Sequence, residues 1–528
     1  MTVGLEPAVP RDSTRSDLRS LGRGTSLNLA GSVVAGVLNV VVPVIVTRGF
    51  TRADAGTFFA ATALFTIFIN VGTVGADTGI LRSLPRARAL GQQAEMRTQL
   101  RVALVPPALF SAVLAAGLVV LAPQIAGWVS GRRSGSEQLF VHFLHVLGPL
   151  LPVAVLYVTA MSATRGFGAL KPLVLLEKVG RGSLQAALIA LCVLLAPTAT
   201  LLIVAWSVPY LAAGVVLALW LRALLRAAVS RRAEDAPPSR PVRVVAREFW
   251  AFSAPRALSR IFNVALQRFD IILVAALLGP AQAAVYTAAT RFLLLGLLFV
   301  QAIQQVMAPK ISEFLAQDDR GRSTLLYRTT TSWLTLVSWP LYLMSALFAP
   351  VLLRIFGEGY ERGATVVLVL CLTMLVATTC GPVDSILLMA GRSSWSLYNT
   401  AAALAVNVGL DLVLIPRLGI NGAALGWTAG ILVANLVPLA QVHRSLGMHP
   451  FGDATLRVMV LAGLCFGVLP LLVRLALGAT VPGLLVASVV ATAAYAGLLL
   501  HSRRALELDA LTAALRRPRG VRRTRRPA

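Results

Sequence analysis

Residues 250–278 read WAFSAPRALSRIFNVALQRFDIILVAALL, and the reading of this stretch decides the fold. At about 1.5 Å per residue it is long enough to cross about 30 Å of hydrocarbon as a helix. Lipid offers no hydrogen-bond partners, so a chain crossing it here must be helical. The polar residues are not scattered. Arg256, Arg260, Asn263, Gln267 and Asp270 follow spacings of four, three, four and three. At about 100° per residue all five project within about 40° of Arg256, one seam down the helix. Such a seam is costly against acyl chains and is expected to face a water-filled cavity or partner groups. Arg256 and Arg260 lie near one end and have the alternative of snorkelling to the interface, which explains Asn263, Gln267 and Asp270 less easily. Arg268 points away from the seam by about 80° and is expected to pair with Asp270 or another helix.

The same reading extends in both directions. Apolar stretches of crossing length run from Thr25–Thr47 and Ala55–Ile80 to Val458–Leu477 and Leu484–Leu500, about fourteen in all. The chain is 57% hydrophobic with 13% charged residues, which excludes an ordinary soluble domain. The expected fold is an all-α polytopic membrane protein of about 14 transmembrane helices, two pseudo-symmetric six-helix lobes around a central cavity plus two C-terminal helices.

A net charge of +26 would suggest nucleic acid in a soluble protein, but its placement argues against that partner. The opposite side of the membrane receives only Arg48, Arg52, Arg132, Arg133, Arg354, Arg362 and Arg417; most of the other basic residues fall in the alternate loops and the two tails. The positive-inside rule then puts both termini of this multi-pass membrane protein in the cytoplasm. The basic tails read as topology signals that also touch anionic membrane lipids. No signal peptide is evident, so the first helix is expected to be retained. Cys192, Cys371, Cys380 and Cys465 sit in apolar segments without metal-ligand spacing and read as small core residues.

The longest internal polar break, 222–247, follows six helices and reads as a cytoplasmic linker. It separates an N-lobe (24–221) from a C-lobe (248–442). A basic tail (1–23) precedes them, and helices 13 and 14 (455–502) and a second basic tail (503–528) follow. Ala53, Ala55, Phe58, Ala60, Ala61 and Thr62 are answered 228 positions later by Ala281, Ala283, Tyr286, Ala288, Ala289 and Thr290. Equal helix counts make this a parallel repeat, an established transporter architecture with substrate between the lobes.

Lighter seams mark the leading helices of each half. The first helix has Asn28, Ser32 and Asn39, with Pro43 as a kink before Arg48. The second has Thr66, Asn70 and Asp77 on one face, and the eighth has Thr287, Arg291 and Gln305. Glu177, Lys178 and Arg181 in the fifth helix read as a local ion-pair cluster near the interface. Asp77, Asp270, Asp384 and Asp411 are candidate carboxylates for coupling to H+ or Na+, with a local ion pair or cap as the alternative. His142 and His145 have helical spacing, but two histidines do not make a metal site. No metal or cofactor is expected.

The chain resembles the bacterial polysaccharide (oligosaccharide repeat-unit) flippases of the multidrug/oligosaccharidyl-lipid/polysaccharide (MOP) exporter superfamily. The likeness rests on SLNLAGSVVAGVLNVVVPVIVTRGFTRADAGTFF (26–59), QRFDIILVAALLGPAQAAVYTAATRF (267–292), APKISEF (308–314), LFAPVLLRIFGEGY (347–360) and IPRLGINGAALGWTAG (415–430). It implies alternating access around a cavity lined by helices 1, 2, 7 and 8, the helices that the seams mark independently. A polyprenyl-diphosphate-linked oligosaccharide would pass from the cytoplasmic to the outer leaflet for cell-surface polysaccharide biosynthesis. Arg48, Arg256, Arg260 and Arg291 would then attract the diphosphate. Asn28, Asn39, Asn70, Asn263 and Gln267 would line the cavity and hydrogen-bond the sugars. Polysaccharide polymerase or export proteins are the further partners expected.

The alternatives are a lipid II (peptidoglycan precursor) flippase or a drug/cation exporter of the same superfamily, and then a membrane glycosyltransferase or polymerase. An exporter of cations favours an acidic cavity, and the seams here carry more arginine than carboxylate. An enzyme needs acidic catalytic residues and a sizeable external loop, and the external loops are short. An ATP-driven pump is excluded by the lack of a Walker A lysine, since none of the three lysines follows a glycine.

Overall fold

The computed structural model describes residues 11–92, 95–129, 136–229 and 240–501. The tails before Arg11 and after His501, and residues 230–239 of the expected linker, lie outside the described residues. Among the described residues there is no strand. The helices of the first half are α1 (Arg11–Gly49), α2 (Arg52–Thr73), α3 (Ala76–Ala89), α4 (Met96–Val120), α5 (Ala122–Val129), α6 (Ser136–Leu147), α7 (Leu151–Gly166), α8 (Gly182–Leu195) and α9 (Ala199–Val229). The second half begins with α10 (Val242–Leu278), α11 (Pro280–Ala316), α12 (Arg320–Leu347), α13 (Ala349–Leu353), α14 (Ala364–Thr379) and α15 (Val383–Met389). It continues with α16 (Ser393–Leu418), α17 (Ile420–Leu446), α18 (Asp453–Ala462), α19 (Leu469–Leu477) and α20 (Val481–His501).

Twelve helical stretches are long and apolar enough to cross a membrane, and a bent pair, Arg320–Leu347 with Ala349–Phe356, makes a thirteenth. That pair turns by 82° at Phe348. The eighth expected crossing, Ala284–Ala308, falls within α11, several of whose side chains lie outside the described residues. The helices run further than the apolar stretches do. Helix α9 continues through Arg222 and Arg226, and α10 starts at Val242, so 230–241 is all that separates them.

The second expected helix is not continuous. Helix α2 ends at Thr73, and Val74 and Gly75 both adopt left-handed backbone (φ 47° and 76°) before α3 sets off. The cause is packing. A Cβ on Gly75 would lie 2.4 Å from the Ser253 carbonyl oxygen of α10, so the chain turns where only glycine lets the two backbones meet. Asp77 therefore belongs to α3, off the α2 face assigned to it from sequence. The fourth expected helix is interrupted by a 3-10 turn at Gly148–Leu150, which contains Pro149 and is followed by Pro152.

The fifth opens as a π-helix, Leu173–Arg181, before tightening into α8. This wide segment packs on α1 through glycines. A Cβ on Gly31 would meet Val174 at 2.7 Å, and one on Gly182 would meet Leu38 at 3.0 Å.

The halves touch at both ends of the bundle. At the end far from the arginine-rich loops, a Cβ on Gly56 of α2 would lie 1.7 Å from the Pro280 carbonyl of α11. Arg48 bonds the carbonyls of Ile355 (2.8 Å) and Arg354 (3.2 Å) there. At the basic end α3 lies on α10, with Gly79 under Ser253 and Phe249. One apolar core runs across both halves. It buries Phe58 and Tyr286, the pair that the repeat sets equal. What lies between these two contacts is the cavity.

Candidate functional site: a cationic cavity between the halves

The cavity measures about 430 Å³ and is walled by α1, α2, α7, the π segment, α8, α9, α10 and α11. One wall is aromatic, with Phe58, Phe59, Trp206 and Tyr210. Edge-to-face contacts of Trp206 with Phe58 and Phe65, at 6.2 and 5.9 Å between centroids, hold that wall rigid. The opposite character comes from four cations, Lys178, Arg181, Arg268 and Arg291.

The π segment supplies two of them. Arg181 makes a fork with Glu177 (2.6 and 3.0 Å), donates to Gln185 Oε1 (3.1 Å) and lies over the Tyr210 ring at 4.6 Å. Gln185 is fixed in turn by the Trp206 carbonyl at 2.8 Å. Lys178 donates to Ser32 Oγ of α1 at 2.6 Å. π-Helical turns occur often at functional sites because they re-aim side chains that a regular helix would spread around its surface.

The other two cations come from the second half, where Asp270 is a charged neighbour of Arg268 beyond contact distance. Neither Arg268 nor Arg291 forms an ion pair among the described residues. Arg291 is 8% exposed, its Nε has no hydrogen-bond partner, and the nearest π face is Phe59 at 6.0 Å. The one acidic residue of the cavity, Glu177, is already taken by Arg181. Two guanidinium groups facing a cavity of this size within the membrane make a strong anion trap, since their attraction is little screened there.

The residues singled out from sequence separate into two groups. Asn39, Asn70 and Arg291 line the cavity. Asn39 and Asn70 donate to carbonyls of their own helices, Ala35 (2.9 Å) and Thr66 (2.8 Å), leaving their amide oxygens to face inward or across. The α10 seam does not line it. Arg260 reaches from the mouth to Asn70 Oδ1 (3.0 Å) and Asp77 (3.3 Å), with Arg165 as a further charged neighbour. Arg256 stacks on Phe252 at 3.9 Å, and Arg82 of α3 stacks on the same ring at 4.0 Å. Asn263 and Gln267 are exposed, and Asn263 donates to Ser259 of its own helix at 3.1 Å. Arg48 is spent on the far-end contact already described. The side chains of Asn28 and Gln305 lie outside the described residues.

Of the carboxylates, Asp77 pairs with Arg260. Asp270 accepts from Tyr286 Oη at 2.5 Å and from the Ile271 amide at 2.9 Å, and makes no ion pair with Arg268. Asp411 is wholly buried; it accepts from Asn407 (3.1 Å), and its Oδ1 has no partner. Asp384 is half-buried beside Ser396. His142 and His145 turn to different partners, Thr200 and the Val119 carbonyl. All four cysteines are buried thiols.

At the basic end the halves are latched by charge. Arg240 donates to Glu95 (2.8 and 3.0 Å) and to Glu248 (3.0 Å). Hydrogen bonds from Arg240 hold the buried Glu95 carboxyl below the usual carboxylate range, and Glu95 pushes the Arg240 guanidinium up.

Sequence reasoning missed Lys178, Arg181 and Arg268 as cavity residues. A signal was present, because ionisable groups within a crossing are functional by default. Helical-wheel arithmetic set it aside for Arg268, and proximity to the interface did so for the other two.

Known proteins share this architecture. The family described as polysaccharide biosynthesis protein matches residues 21–315, and the MatE family matches 255–413. Stage V sporulation protein B of Bacillus subtilis (strain 168) is 22% identical over 457 residues, 80% of this chain and 84% of that protein. Among solved structures, lipid II flippase MurJ in an inward closed conformation superposes with a TM-score of 0.67 at 13% identity, covering 92% of this chain and 99% of that one. An inward-facing multidrug resistance MATE family transporter of the MOP superfamily gives 0.63 at 15% identity, covering 79% and 98%. The chain is therefore a multi-pass membrane protein of the polysaccharide biosynthesis protein family, within the MOP superfamily of flippases and exporters.

Proposed function

We propose that this protein is a flippase that carries a polyprenyl-diphosphate-linked oligosaccharide from the cytoplasmic to the outer leaflet by alternating access, and not an enzyme. The observation that carries the reading is the pair Arg268 and Arg291, two cavity guanidinium groups that form no ion pair among the described residues. A diphosphate supplies the missing charge, and guanidinium groups suit it through charge-assisted, bidentate hydrogen bonds. Lys178 and Arg181 stand across the cavity, so the headgroup would be held from both halves. The aromatic wall at Trp206 and Tyr210 and the amides of Asn39 and Asn70 suit the apolar faces and hydroxyls of sugars. The orientation follows from the positive-inside rule, with the basic end and both termini cytoplasmic in a bacterial plasma membrane.

Movement between the two access states requires the far-end contact and the basic-end latch to exchange, each closing as the other opens. Asp270 and Asp411, carboxylates buried next to the cavity wall, are the coupling groups we propose for H+ or Na+. A lipid II flippase shares the diphosphate chemistry, and the superposition on MurJ over 92% of the chain keeps that substrate as the second reading.

The test is leaflet exchange in liposomes carrying the purified protein and a fluorescent polyprenyl-diphosphate oligosaccharide. Lipid II and a fluorescent lipophilic cation run in parallel. Exchange of the oligosaccharide lipid alone supports the proposal, and exchange of lipid II alone transfers it to the second reading. Movement of the cation but of neither diphosphate would sink both.

A further inference from the structure

Outside the central cavity lies a groove of about 800 Å³ on the membrane face of the first half. Helices α4 and α9 form its sides and α7 its floor. The basic end of the groove holds four arginines, Arg97 and Arg101 one turn apart on α4 and Arg222 and Arg226 one turn apart on α9. All four are exposed, and among the described residues none has an ion-pair or hydrogen-bond partner. Among the described residues no acidic residue lines the groove. Towards the membrane interior its walls become wholly apolar, through Val105, Leu156, Leu211 and Val215. Gly214 keeps one side open, since a Cβ there would meet only Val153, at 3.7 Å.

The length of the groove argues for what fills it. From Arg222 to Leu211 is about 16 Å of helix at about 1.5 Å per residue. That is about half the 30 Å hydrocarbon thickness, the depth of one leaflet. A crossing helix of a partner protein would need twice that length and would bring no charge to answer four arginines. An acyl chain ending in a phosphate meets both requirements, because it is apolar over one leaflet and anionic where the arginines stand.

We propose that the α4–α9 groove binds one anionic phospholipid from the leaflet at the basic end. Its phosphate is held by Arg97, Arg101, Arg222 and Arg226, and its acyl chains lie along Val105, Leu156, Leu211 and Val215. The site backs onto the central cavity. Tyr157, which floors the groove, is also a neighbour of Glu177 and Tyr210 on the other side of the same wall. The bound lipid is thus a brace behind the π segment. The proposal does not depend on what the central cavity carries.

Native mass spectrometry of the detergent-purified full chain tests it, titrated with dioleoylphosphatidylglycerol, dioleoylphosphatidylcholine or inorganic phosphate. The expected result is a single phosphatidylglycerol adduct, with phosphatidylcholine bound at least about tenfold more weakly. Arg222→Gln/Arg226→Gln is expected to weaken the adduct by about tenfold or more. Ala218→Trp fills the groove with the arginines intact and is expected to do the same. The control Arg444→Gln/Arg457→Gln removes two exposed arginines of the basic end away from the groove and leaves the adduct unchanged.

Equal binding of the two lipids, or an adduct indifferent to both groove variants, overturns the proposal in favour of an unspecific annular shell. Displacement by inorganic phosphate at equal concentration overturns it in favour of a free-phosphate site. Neither result touches the leaflet-exchange assay.

Discussion

Two sets of arginine, one on α10 and one shared by α10 and α11, differ in what they have left to give. Arg256 and Arg260, on the α10 seam, are occupied: one shares the Phe252 ring with Arg82, and the other reaches Asn70 and Asp77. Arg268, eight residues beyond Arg260, joins Arg291 in the cavity, and neither forms an ion pair among the described residues. The seam was the more visible in sequence, because spacing shows which face is polar. Spacing does not show whether a charge is already satisfied. A guanidinium group whose attraction is used inside the protein holds the halves together, and one left unanswered is available to a substrate.

The strongest way to break this contrast is to neutralise each set in turn. Arg268→Ala/Arg291→Ala removes two charge-assisted contacts at about 1.5–3 kcal/mol each. Exchange of a diphosphate-linked lipid is then expected to fall by about a hundredfold to ten-thousandfold, with expression and thermal stability kept. A fall that is equal in Arg256→Ala/Arg260→Ala would erase the distinction drawn here.

Next in size is the Glu177–Arg181 pair, which shapes the opposite wall. Arg181→Gln leaves Glu177 without its fork, and the cost for a wholly buried pair is about 3–5 kcal/mol. Glu177 is a third exposed, so solvent screening brings the expectation to about 1–3 kcal/mol. Thermal unfolding in detergent would read it, and Glu177→Gln/Arg181→Gln is expected to recover most of the loss. No recovery in the double variant would mean that Arg181 stabilises through Gln185 and Tyr210 instead.

A smaller effect is expected from Arg256→Ala alone. A cation–π contact at an exposed position contributes about 0.5–1 kcal/mol, so exchange should change less than tenfold.

The least is expected from the latch, and it has a pH signature. Arg240 is more than a third exposed, so the contribution of its pair is screened. Glu95 binds its proton less readily folded than unfolded, so the pair stabilises fully above the unfolded pKa of about 4.3 and is lost as pH falls through the lower folded value. The stability gap between wild type and Glu95→Gln should therefore be constant from pH 8 to 5 and close below pH 4. A gap that persisted into acid would assign the effect to packing.

The all-helical membrane architecture was legible in sequence because bilayer thickness acts on composition, which a sequence states directly. The leading helices of each half were found by the same means, and Asn39, Asn70 and Arg291 face the cavity as their seams suggested. What was not legible depended on departures from ideal helix geometry. The Val74–Gly75 turn takes Asp77 off the α2 face, and nothing in the apolar run of Ala55–Ile80 marks it. The wheel placed Arg268 off the α10 seam, but the seam follows the mouth and the latch, and the cavity lies to one side of it.

The π segment has a consequence for reading related sequences. A helix that accommodates one residue more than its regular form holds that residue in register with everything after it. Removing any one residue from Leu173–Arg181 would leave hydropathy, length and net topology almost untouched. It would return the segment to regular helix, keep the flanking turns in register and re-aim Lys178 and Arg181, which the wide turns now present to the cavity. In this stretch a single-position gap carries more information than several substitutions, and a comparison scored on similarity alone would discount the one change that re-aims two cavity cations.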